Sequence, residues 1–106
     1  MGPVEKIVTD KLAEEFNTVV LHVINESYMH SVPAGSETHF KVVIVTEQFV
    51  DKRQVQRHQA IYGVLAEELA GPIHALALHS FSPDEWTDSQ GQTANSPQCL
   101  GANKAV

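Results

Sequence analysis

The chain has 106 residues, 42% hydrophobic and 19% charged, a composition that suits one globular domain with a single core and no disulfide or metal staple. Seven Lys plus Arg against thirteen Asp plus Glu give a formal net charge of −6, so the average field repels nucleic acid and anionic lipid, and only a local basic patch could reverse that. One cysteine, Cys99, excludes an intrachain disulfide; no run approaches the roughly 20 apolar residues of a membrane span, no secretory leader is expected at the N-terminus, and the expected setting is the reducing cytoplasm.

Over residues 4–16, apolar side chains fall at Val4, Ile7, Val8, Leu12 and Phe16, a spacing that paints one helical stripe. Residues 19–24 are β-branched and apolar apart from His22, and residues 40–46 alternate Phe40, Val42 and Ile44 against Lys41, Val43 and Val45. Both read as strands. Residues 25–38 between them are polar and broken by Pro33, Ala34 and Gly35, too long for a tight turn and long enough for a functional loop around which the strands can pair antiparallel.

Asp51 with Gln54 three residues later resembles a capping box, and the stripe Val55, His58, Ile61, Tyr62, Leu65 and Leu69 predicts a second helix stopping at Gly71 and Pro72. Residues 73–80 alternate His74, Leu76 and Leu78 against Ile73, Ala75, Ala77 and His79, a third strand. Ser82, Pro83 and Glu85 open a short helix that carries Trp86. Gly, Ser, Gln, Asn and Thr dominate beyond it, so one domain at residues 1–87 and a flexible polar tail at residues 88–106 are expected. A right-handed crossover would leave strands two and three parallel beside an antiparallel first pair. The fold class is therefore α+β, a three-stranded mixed sheet with helices on one face.

His74 shares its strand face with Leu76 and Leu78, which by itself suits a half-buried histidine bonded to a carbonyl as well as a ligand. His22 and His79 lie in strands and read as packing or surface residues; Cys99 sits in the polar tail, where a lone thiol is ordinarily solvent-exposed. Lys52, Arg53 and Arg57, with His58 when protonated, cluster at the start of helix two, an arrangement that suits phosphate contact as well as a solvated helix start. There is no Gly-rich phosphate loop and no nucleophilic serine motif, and Glu67 and Glu68 read as a solvated face. No enzyme is expected.

Glu26-Ser27-Tyr28, the run from Val32 through Ser36-Glu37-Thr38-His39-Phe40, Arg57-His58, Leu65-Ala66-Glu67-Glu68-Leu69 and His74-Ala75-Leu76-Ala77-Leu78 together resemble the BolA family, in order and over residues 4–86. The resemblance implies a class II KH-like αββαβ fold with a further terminal helix. It also implies a partnership with monothiol glutaredoxins and a shared [2Fe–2S] cluster, with ligands from His74 and from the loop, where His30 matches and His39 competes. Two imidazoles cannot hold such a cluster, so a partner cysteine and a glutathione thiolate would supply the remaining positions. The isolated chain is expected to carry none. Other members of the family are DNA-binding regulators of stress response, morphology and biofilm-type genes, but this chain lacks the Gly-x-x-Gly loop by which KH domains clamp a backbone, and its net charge is unfavourable.

Overall fold

The computed structural model describes residues 2–29 and 32–91. Helix α1 (Pro3–Glu15) starts with proline at its first position, where a missing N–H costs nothing, and buries Val8 and Leu12. Strand β1 (Thr18–Asn25) pairs antiparallel with β2 (His39–Thr46), with a register shift between Thr18 and Val20. Strand β3 (Ala75–Phe81) pairs with β2 in parallel, from His39 opposite Ala75 to Val45 opposite Phe81. The strand order is β1-β2-β3, as a hairpin followed by a helical crossover requires.

Alternation along β2 divides its side chains between two environments. Phe40, Val42 and Ile44 join Val8 and Leu12 of α1, Ile61 of helix α2 (Gln54–Val64), and Phe16, Phe49, Leu65 and Ile73 in one core, with Leu21, Val23, Leu76 and Leu78 packed around it. Val43 and Val45 are buried on the opposite face. There Phe81, the register partner of Val45, meets Trp86 of helix α4 (Pro83–Asp88) edge-on at 5.1 Å. Serine, proline and glutamate open α4 as expected: Glu85 Oε1 accepts from the Ser82 N–H at 2.9 Å.

Four local expectations are corrected. Asp51 does not cap helix two; it lies at φ 64 in a turn. The helix begins at Gln54, and Gln56 Oε1 reaches back to accept from the Arg53 N–H at 2.8 Å. The stripe is also rotated. Ile61 and Leu65 are buried, whereas Val55 and Tyr62 stay 52% and 43% exposed, because the stem of Arg57 occupies the core-facing position one turn before Ile61. Finally, the helix breaks at Leu65, and a separate α3 (Ala66–Ala70) carries it to Gly71. Glu68 faces inward rather than forming a solvated surface: it is 8% exposed and, with Glu67, takes the Lys11 ammonium of α1 at 2.9 and 3.1 Å. Those two carboxylates raise the Lys11 pKa, chiefly through the hydrogen bonds.

Candidate functional site

The β2–β3 register determines where the histidines stand. His39 opens β2 opposite Ala75, and His74, the residue before β3, is exposed rather than half-buried among the leucines. The two rings lie with centroids 6.2 Å apart and planes inclined by 71°. Thr38 ties the two segments together: its carbonyl accepts from the N–H groups of His74 at 2.8 Å and Ala75 at 3.2 Å. Its hydroxyl meets His39 Nδ1 at 2.8 Å. In the tautomer whose Nδ1–H donates to that hydroxyl, His39 Nε2 carries the lone pair that a metal requires. His30 lies outside the described residues, as does Cys99. Among the described residues no group of three or more His, Cys, Asp or Glu is placed to hold a metal ion.

The segment leading to this pair is heavily bonded. Asn25 Oδ1 accepts from the Ser27 N–H at 3.0 Å, and Asn25 Nδ2 donates to the Ser36 carbonyl at 2.9 Å. Ser27 Oγ accepts from the N–H groups of Thr38 at 2.9 Å and His39 at 3.1 Å. Glu37 reaches the N-terminus of α1 and accepts from the N–H groups of Val4 at 3.3 Å and Glu5 at 3.0 Å. In the sequence, Ser27 and Glu37 stand within the motifs that carry the family resemblance, with no role of their own. The available signal was that Ser and Asn in loops bond nearby backbone, while the partners across the fold were invisible. Tyr28, next to Ser27, is 81% exposed.

The basic cluster at the start of α2 does not come together. Lys52 and Arg53 are exposed, but Arg57 is 3% exposed. Its guanidinium donates to the Lys52 carbonyl at 2.9 Å, the Ser80 carbonyl at 3.2 Å and both Glu85 carboxylate oxygens at 2.6 and 3.1 Å. It also lies 5.6 Å from the centre of the Phe49 ring. Arg57 is thus a structural cation joining α2, β3 and α4, not a phosphate contact, and it holds the Glu85 carboxyl below its ordinary range. His58 is half-buried against Tyr62, at 6.5 Å between ring centroids. His22 is exposed, and burial lowers the pKa of His79, with Lys41 adding to the shift.

These elements define a small α+β domain with a mixed three-stranded sheet and a histidine pair at the mouth of its parallel strands. The family model described as BolA-like protein matches residues 12–85. The chain is 50% identical to the DNA-binding transcriptional regulator BolA of Escherichia coli over 95 residues, 90% of each chain. It is 46% identical to the protein of the same name from Vibrio cholerae over 101 residues, 95% of each. The solution structure of the BolA1 protein from Mus musculus superposes with a TM-score of 0.81 at 46% identity, covering 95% of this chain and 81% of that one. The chain belongs to the BolA-like family. Neither the family description nor these names indicate an enzyme, and no helix among the described residues is long and apolar enough to cross a membrane.

Proposed function

We propose that this chain works by binding a monothiol glutaredoxin and sharing a [2Fe–2S] cluster with it, in iron–sulfur and iron homeostasis in the cytoplasm. The carrying observation is the exposed His74 ring 6.2 Å from His39 on a rim fixed by the Thr38 backbone. His74 is one ligand, and His30 or His39 is the second. The donor set fits, because neutral imidazole is a good ligand for iron and the Thr38 hydroxyl can fix the His39 tautomer. A partner cysteine and glutathione complete the four positions. When held, the cluster brings a one-electron redox centre; the chain's own part is to bind and orient. Exposed Tyr28 supplies an aromatic contact of the kind that anchors protein partners.

Visible absorption and circular dichroism spectra of the pure protein mixed with a cluster-loaded monothiol glutaredoxin test this reading. A new spectrum that is not the sum of the two components is expected. A simple sum overturns it.

DNA binding is the second reading, favoured by the names of the Escherichia coli and Vibrio cholerae relatives. On this chain it would rest on exposed Lys52 and Arg53 at the start of α2, with Arg57 committed elsewhere.

A further inference from the structure

A loop that carries ligands must either be ordered in advance or be ordered by the partner at the cost of affinity. Among the described residues between β1 and β2, Ser27 and Glu37 tie down the segment that leads into β2. Ser27 is 3% exposed, and its oxygen takes the N–H groups of Thr38 and His39 together. Thr38 then receives the N–H groups of His74 and Ala75 on its carbonyl. One buried hydroxyl therefore sets the start of β2, and through a single peptide unit it sets the entry to β3. Glu37 secures the same segment from outside by closing the N-terminus of α1. Its carboxylate is seated so closely that a Cβ at Gly2 would overlap it.

We propose that Ser27 and Glu37 are positioning residues for the histidine pair, holding His39 and His74 at their separation before any partner arrives. The inference rests on the cluster-sharing reading for its functional consequence, but its structural content stands apart from it. Ser27→Ala removes the oxygen that accepts from the part-buried N–H groups of Thr38 and His39. Thr38 and His39 then lose their anchor, and the distance between the rings is no longer imposed. Glu37→Ala releases the outer side. Glu37→Gln keeps an oxygen that can accept from the Val4 or Glu5 N–H.

The test combines nuclear magnetic resonance of the lone chain with titration by cluster-loaded glutaredoxin. In Ser27→Ala we expect faster amide exchange at Thr38, His39, His74 and Ala75, a weakened cross-peak between the His39 and His74 rings, and affinity for the loaded partner lowered about 10- to 100-fold, the range typical of groups that orient ligands. Glu37→Ala should show the same pattern more weakly, and Glu37→Gln should restore it. Ile61→Val, which removes a methyl group from the core outside the loop, serves as a stability control and should leave the ring cross-peak and the partner affinity unchanged.

Wild-type exchange and cross-peaks in both Ser27→Ala and Glu37→Ala would overturn the proposal, and so would equal losses in Ile61→Val. If Ser27→Ala does not fold, the comparison of Glu37→Ala with Glu37→Gln decides: equal behaviour overturns, and rescue supports. If the wild type takes no cluster from the partner, the cluster-sharing reading fails, while the exchange and cross-peak measurements still decide the positioning role.

Discussion

Removing the negative charge that faces Arg57 gives the most direct stability test. In Glu85→Gln the shape is kept, and the amide oxygen can still accept from the Ser82 N–H, as Glu85 Oε1 does at 2.9 Å. The charge is lost: the same amide oxygen can still accept from Arg57 Nη1, as Oε1 does at 2.6 Å, but the amide NH2 faces Nη2 where Oε2 accepts at 3.1 Å. A hydrogen bond to a charged group nets about 1.5–3 kcal/mol, and Glu85, with its side chain 47% exposed, belongs at the lower end because water screens it. Against this, Arg57 stays buried with neutral acceptors only, the Lys52 and Ser80 carbonyls and the amide oxygen, and a buried cation without its counter-charge is costly. The expected loss is about 2 kcal/mol, or roughly 8–16 °C in Tm for a domain of this size. Urea unfolding followed by the fluorescence of Trp86, which lies on the same helix as Glu85, measures it. A double-mutant cycle with Arg57→Met isolates the coupling.

The pH dependence has a definite sign. The folded pKa of Glu85 is depressed below the ordinary carboxyl value of 4.5, first by the Arg57 hydrogen bond. Its contribution is therefore present above that value and disappears as pH falls through the folded pKa. Wild type and Glu85→Gln should converge in acid. A loss below about 0.5 kcal/mol at neutral pH, the range of an ordinary surface change, or a coupling near zero, would refute the argument.

His74→Ala should alter the spectrum of the glutaredoxin mixture more than His39→Ala does, with the isolated chain colourless; equal and negligible effects would remove His74 as a ligand. Lys52→Glu combined with Arg53→Glu should abolish duplex DNA binding, and in the wild type the log–log salt slope should be near −2 if about two phosphates are engaged. Retained wild-type affinity in an electrophoretic shift assay would discard that surface. Burial lowers the pKa of His79 below the ordinary imidazole value of 6.5, so the unfolded chain takes the proton first, and this group's effect is a loss of stability as pH falls through the window below 6.5. Titration of the His79 ring by nuclear magnetic resonance checks this, and a midpoint at or above 6.5 contradicts it.

The elements that periodicity announces are found, with the second helix divided into α2 and α3. Val8 and Leu12 in α1, the alternation of Phe40, Val42 and Ile44, and the Ser82 cap are local patterns, and local patterns survive folding. What escaped the sequence depends on partners distant along the chain. Arg57 reads as polar until Glu85 and Ser80 are brought to it, and its stem then displaces Val55 and Tyr62 from the inward face. Glu68 reads as solvated until Lys11 arrives from α1. Asp51 carries the right side chain for a cap, but its backbone takes a left-handed turn. At the site, His74 could be singled out, but its nearness to His39 follows from the parallel register, and Ser27 becomes the hub only once Thr38 has come back to it.

The parallel pairing of β2 with β3 also governs when the site can exist. An antiparallel hairpin such as β1–β2 closes early from nearby residues, whereas a parallel neighbour can be added only after the whole intervening crossover is in place, and such long-range closure is slow. His39 is set on the first hairpin, and His74 arrives with the last strand. A chain still emerging from the ribosome, or one whose β3 has come away, has no histidine pair to offer. The pair is thereby reserved for the completely folded molecule, and its loss marks detachment of β3 even where the rest of the sheet persists.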